Sequence, residues 1–213
     1  MHSICIFTGT RAEYGLLSPL IKILQSQGEH KVQVIVSGTH LLSSYGNSIS
    51  ELESDKVEIS ATANILMASD NLNGTCNSIG LGLIKYSDIL ESLKPDLAIV
   101  LGDRFESFAF ASAAATMLIP ITHIHGGELT YGAIDEIYRH AITKMSSLHF
   151  TTTLEYKKRV IQLGEHPSSV FDAGSLGVWN SMNMELLTLE DLEDSLGWGL
   201  SQGFSLFTYH PET

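Results

Sequence analysis

The sequence predicts an α/β fold, a doubly wound parallel sheet with helices on both faces. Three observations predict it. Short β-branched runs recur along the chain. Longer stretches at helical spacing separate them. Nearly every run ends in glycine followed by a charged or hydrogen-bonding residue. Continuous apolar runs, rather than alternating ones, mark strands buried on both faces. Right-handed crossovers between them then wind the sheet in two directions.

The elements follow in order. The predicted strands are SICIFT (3–8), VQVIVS (32–37), LAIVLG (97–102), PITHIH (120–125), LHFTTT (148–153), SVFDAG (169–174) and FSLFTY (204–209). After the first strand, Leu16, Leu17, Leu20, Ile21, Ile23 and Leu24 form one helical face. Ile79, Leu83, Ile84, Ile89, Leu90 and Leu93 form a second. The lone GLGL at 80–83 lies in that stretch and reads as helix packing. Phe108, Ala111, Ala114, Ala115 and Leu118 predict a tightly packed small-residue helix. Residues 40–75 are polar and serine-rich, and are expected to be the least regular region, with a mobile loop. A hinge is expected near Gly174–Gly177, followed by one acidic helix, TLEDLEDSLG. The expected organisation is a domain over 1–174, with 175–213 the start of a second, truncated domain.

Composition narrows the function. With 24 acidic residues against 12 basic ones, the net charge is −12. No basic stripe is available to neutralise a phosphate backbone, so no nucleic-acid partner is expected. A single nucleotide remains possible, since one or two arginines and backbone N–H groups can hold it. Cys5 and Cys76 show no framework spacing, which predicts a reduced, cytoplasmic protein. MHSICIFTGTRAE lacks the basic n-region of a signal peptide. No apolar run reaches the ~18 residues of a membrane span, so no membrane partner is expected.

In open α/β sheets, ligands bind beyond the carboxyl ends of the strands. The residues found there are Gly9-Thr10-Arg11-Ala12-Glu13, then Asp103 and Arg104, then Gly126, Gly127 and Glu128, then Ser175, then His210. One such ending is turn chemistry; five on one edge predict a site. GTRAEYG opens a helix, whose backbone N–H groups suit an anion, and Arg11 adds charge. It is neither a Walker loop nor GxGxxG. Asp103 reads either as a helix cap with a salt bridge or as a ligand contact. Glu128 follows two glycines, which permit close approach of backbone to ligand. Asp135 and Glu136 are adjacent and point in different directions on a helix, so at most one of them is expected to face the ligand. Arg139 and His140 follow one turn later and could pair with them in a structural network. His123 and His125 alternate on a strand and could bind zinc, but the sequence offers no further ligands at a standard spacing. No metal is expected. His149 and His166 read as core or surface residues.

Together, GTRAEYGLL, VLGDRFE, HIHGGE, IDE..RHAITK and YHPET resemble the UDP-N-acetylglucosamine 2-epimerases. The likeness runs along essentially the whole chain. It is strongest to the hydrolysing branch, which makes N-acetylmannosamine (ManNAc) for sialic-acid-type sugars in bacteria. The resemblance implies a Rossmann-like domain, the N-terminal half of a glycosyltransferase-B-type two-domain fold. It implies a UDP-sugar substrate, a homo-oligomer and no cofactor. It implies anti elimination of UDP through a 2-acetamidoglucal, followed by hydration. Asp103, Glu128 and Asp135 match the family's carboxylates. His210 matches a histidine near the leaving phosphate, and Arg11 an arginine on the nucleotide side. Glu13, Arg104, Glu136 and Arg139 join Arg11 as substrate-binding candidates. Where other branches carry a glutamate, this chain has His125, so one acid/base role falls to His125 or to Glu128. Family members also continue well past HPET. Two alternatives stand beside this reading: a UDP-diacetamido-trideoxy sugar substrate, as on the legionaminic acid pathway, and an inactive truncated nucleotide-binding domain.

Overall fold

The computed structural model describes residues 1–67, 71–184, 186–201 and 203–209. The strands are β1 (His2–Thr8), β2 (His30–Ser37), β3 (Ile59–Ala63), β4 (Leu97–Leu101), β5 (Ile121–Ile124), β6 (Leu148–Thr151) and β7 (Val170–Asp172). They form one parallel sheet in the order 3-2-1-4-5-6-7. The order reverses between β1 and β4, where Cys5 lies opposite Gln33 on one side and Ala98 on the other. The helices are α1 (Arg11–Gln27), α2 (Ile49–Ser54), α3 (Leu72–Leu93), α4 (Phe105–Thr116), α5 (Asp135–Met145), α6 (Leu154–Gln162), α7 (Leu176–Asn183) and α8 (Leu189–Leu196). The sheet is Rossmann-like and doubly wound, as its apolar runs predict.

Side-chain alternation along β1 divides the core. Cys5 and Phe7 point to the face packed by α3, α4 and α5, with Tyr86, Phe110 and Ile142. Phe7 stacks on Phe110 at 4.7 Å, and Tyr86 meets Phe7 edge-on at 5.3 Å. Ile4 and Ile6 point to the other face, with Leu17, Ile21 and Leu52 of α1 and α2. The α3–α4 contact depends on Gly82, where a Cβ would lie 3.1 Å from that of Ala109. Hence GLGL serves helix packing. Helix α7 docks on α1, where Asn180 donates to the carbonyls of Gly15 and Leu16 at 3.0 and 3.3 Å.

Two predicted elements differ. Within the region expected to be irregular, residues 59–63 form β3 at the sheet edge, and α2 precedes it. ISATA is short and half-buried, so it lacks the apolar run that marks the inner strands. Conversely, 204–209 forms no strand: Phe204, Leu206, Phe207 and Tyr209 are all exposed. Its β-branched and aromatic content suits a strand, but a strand needs a neighbour for its backbone, and none is present among the described residues. No helix among them is long and apolar enough to cross a membrane.

Candidate active site

The carboxyl ends of β1 and β4 flank the switch point, and the turn after β1 is held by its own sequence. Thr10 caps α1, accepting from Glu13 N at 3.2 Å. Glu13 Oε2 reaches back to accept from Gly9 N at 2.6 Å and Thr10 N at 3.1 Å, completing a capping box. Its other oxygen accepts from Ser107 of α4 at 3.1 Å. Burial pushes the Glu13 carboxyl up to about 7; the Gly9 N–H opposes this, and Glu106 adds to it. Glu106 is fully buried beside it and accepts two bonds from Arg104, Nε at 3.2 Å and Nη2 at 3.1 Å. Gly38, after β2, closes the floor. Its φ is +58°, and a Cβ there would lie 2.4 Å from Gly9 O.

The second half of the site lies beyond β4 and β5. Asp103 pairs with Arg139, which α5 presents from its first two turns. Burial raises the Asp103 carboxyl above its usual range; Arg139 opposes this, while Asp135 and Glu128 add to it. Arg139, Asp135 and Glu128 therefore all act on Asp103. Asp135 is the member of the adjacent acidic pair that bears on Asp103. Glu136 instead accepts from Thr130 N at 3.0 Å and lies 3.9 Å from His140 Nε2. His125 sits 3.7 Å from Glu128, which accepts from Thr152 at 3.0 Å. Burial lowers the His125 imidazole pKa, Glu128 opposes that, and Arg139 reinforces it. A carboxyl raised by burial and an imidazole lowered by burial, both on this edge, are groups suited to proton transfer.

Several buried polar atoms here are unpartnered among the described residues. Arg139 Nε and Nη1 and His125 Nε2 are buried with no hydrogen-bond partner among the described residues. Arg139 is only 6% exposed. Buried polar atoms are normally satisfied, so three orphans around one acidic cluster mark the place of a polar ligand.

Some expectations are corrected. His123 and His125 do not share a strand face, because β5 ends at Ile124 and His125 has φ +66°. His123 is instead a core residue, its Nε2 2.8 Å from Gly102 O and its Nδ1 3.1 Å from Thr143 Oγ1. The carbonyl fixes the proton on Nε2, and burial drops the imidazole to about 3. Gly126 and Gly127 serve packing rather than ligand approach. A Cβ at Gly126 would lie 3.0 Å from His123 Nδ1, and one at Gly127 2.6 Å from Tyr156 O. Arg11 is 74% exposed and pairs with Glu51 at 2.6 Å, apart from the Asp103 cluster. Ser175 precedes α7 and lines an apolar groove of about 490 Å³ with Trp179 and Leu20. His210 lies outside the described residues.

Sequence reasoning missed three residues near this edge: Glu106, His40 and Thr152. Glu106 stands in GDRFE, two residues after Arg104, and that proximity was the available signal. His40, fully buried, joins Thr8 Oγ1 at 3.0 Å to Ser48 Oγ at 2.8 Å. Burial drops its imidazole to about 4.

Comparison with known proteins identifies the family. A family profile described as UDP-N-acetylglucosamine 2-epimerase matches residues 22–213. The chain is 43% identical over its full length to a GDP/UDP-N,N'-diacetylbacillosamine 2-epimerase (hydrolyzing) of Campylobacter jejuni, covering 55% of that protein. It is 41% identical to the polysialic acid biosynthesis protein P7 of Escherichia coli, covering 54% of it. The chain thus spans about half the length of the curated relatives it matches. Among solved structures, a Neisseria meningitidis UDP-GlcNAc 2-epimerase bound to UDP-GlcNAc superposes with a TM-score of 0.78. Identity there is 22%, over 92% of this chain and 53% of that one, so that likeness is one of fold, the glycosyltransferase-B type. The chain belongs to the UDP-N-acetylglucosamine 2-epimerase family.

Proposed function

We propose that this chain forms the acid/base half of a hydrolysing 2-epimerase acting on a UDP-linked 2-acetamido sugar. The observation that supports it best is the Asp103–Arg139 pair, with Glu128, His125 and Asp135 around it and three buried polar atoms left open. In this reading a base at the cluster takes the C2 proton. The C2–H electron pair forms the C1=C2 bond, and the C1–O pair leaves with UDP. The intermediate is a 2-acetamidoglucal. Water then adds at C1 and a proton at C2 on the opposite face, releasing the free 2-epimer.

Each group has work suited to its setting. Asp103, whose carboxyl burial raises above its usual range, takes the proton-transfer role at C2. His125 and Glu128 form the second proton-transfer pair. Carboxylates stabilise the oxocarbenium character that builds as the C1–O bond breaks. Arg139 meets developing negative charge with its open donors. Arg11, Arg104 and His210 are assigned to the nucleotide and leaving diphosphate, and residues 175–213 to the start of the second domain.

The first substrate is UDP-GlcNAc, giving ManNAc and UDP for a sialic-acid-type sugar. A second reading, UDP-N,N'-diacetylbacillosamine, is favoured by the 43% identical Campylobacter relative and by a 34% identical one from Legionella pneumophila, both described as acting on that sugar. Proton NMR in D2O tests both. Free 2-epimer carrying deuterium at C2, together with UDP, is expected from one of the two substrates. An epimer still attached to UDP, or no reaction with either, would refute the proposal.

A further inference from the structure

We infer that Glu106 is a positioning residue that fixes the Arg104 guanidinium over the switch point for the diphosphate. The inference rests on the UDP-sugar reading above. Glu106 is fully buried, while the Arg104 side chain is 41% exposed. The carboxylate grips Nε and Nη2 side by side. Such a bidentate pairing fixes the plane of the guanidinium as well as its place. Nη1 makes no hydrogen bond among the described residues and stays available. Glu106 lies against bare backbone on two sides: a Cβ at Gly9 would lie 3.3 Å from Glu106 Cβ, and one at Gly38 3.2 Å from Glu106 Oε1, so a side chain at either glycine would crowd the carboxylate.

The location gives the pairing its use. Arg104 follows β4 and precedes α4, beside the point where the sheet order reverses. It also feels Asp135, so it stands between the capped turn after β1 and the Asp103 cluster. A nucleoside diphosphate at the strand ends would meet a cation between its backbone cradle and the reacting carbon. An arginine free to rotate would lose entropy on binding; one already clamped loses little.

A double-mutant cycle tests this. The 213-residue chain, Glu106→Gln, Arg104→Ala and the double variant are each titrated with UDP by NMR chemical-shift change. Glu106→Gln is expected to weaken UDP by roughly tenfold. In the Arg104→Ala background the same change is expected to have no effect. Equal weakening in both backgrounds would overturn the inference, since it would show a general structural role. If Glu106→Gln does not fold, judged by circular dichroism, Glu106→Asp carries the same cycle with the charge kept and the reach shortened. Absence of UDP binding by the unmodified chain would instead refute the UDP-sugar reading, and the inference with it.

Discussion

Replacing Glu13 with glutamine should stabilise the protein at alkaline pH and leave it unchanged in acid. Glu13 is buried, and its carboxyl rises from 4.5 to about 7 on folding. A carboxyl with a higher pKa in the folded chain holds its proton more tightly there. Between these pH values the folded chain binds more protons than the unfolded one, so stability falls as pH rises. At about 1.4 kcal/mol per pH unit, the full loss is roughly 3 kcal/mol. It is complete once pH exceeds the folded value. Glutamine keeps the shape: its carbonyl can accept from Gly9 and Thr10 N–H, and its amide can donate to Ser107 Oγ. Below pH 4.5 wild type carries the same neutral group, so the two proteins should match. Urea unfolding followed by circular dichroism, from acid to alkaline pH, reads the difference. Histidine titrations occur in both proteins and cancel. A wild-type-minus-variant difference that stays flat across this range would refute the reasoning. It would mean that the three donors on Glu13 stabilise its anion as much as burial opposes it.

Other outcomes follow from the same edge. Gly127→Ala should destabilise the protein by about 2 kcal/mol or more, because the position has φ +81° and its Cβ would meet the Tyr156 carbonyl; a urea midpoint equal to wild type would contradict it. His40 and His123 have pKa values lowered to about 4 and about 3, so their contribution is present above pH 6.5 and is lost as pH falls through those values. His40→Gln should therefore move the acid-unfolding midpoint to lower pH, as read by circular dichroism during acid titration.

The inner strands were legible because both their faces are buried, and that leaves an uninterrupted apolar run. The edge strand ISATA carries no such run, and its place is set by pairing with β2 across a register shift. FSLFTY shows the reverse case: strand-forming residues without a partner strand among the described residues. Chain position alone puts Asp103 and Glu128 just beyond strand ends, as the structure also has them, whereas Asp135 opens α5 and was singled out by the family resemblance rather than by a strand end. The role of Glu13 was not legible, since it depends on Ser107, which lies 94 residues away in sequence. The glycine pair was misleading for the same reason. Bare backbone looks alike in sequence whether a ligand or α6 covers it. His125 was placed on a strand because β-branched neighbours hide where a strand stops, and only its positive φ shows the turn.

The unpartnered donors bear on stability as well as on chemistry. A buried donor without a partner costs about 1–3 kcal/mol, and Arg139 contributes two of them. The Asp103–Arg139 pair is largely buried, so its attraction is set against the desolvation of both charges. A fold selected only for stability would have no reason to keep such an arrangement, whereas a site awaiting a charged substrate would. The double variant Asp103→Asn/Arg139→Gln removes both charges together and leaves neutral amides, whose burial costs far less than that of ions. It should be at least as stable as wild type toward urea, and it should lose turnover of the UDP-sugar. Removing one partner alone, as in Arg139→Gln, leaves Asp103 buried and unpaired among Asp135 and Glu128, and should destabilise by roughly 3 kcal/mol. If the double variant is as unstable as the single one, the charges stabilise the apo fold. The open donors would then be no sign of a ligand, and the active-site reading would lose its main support.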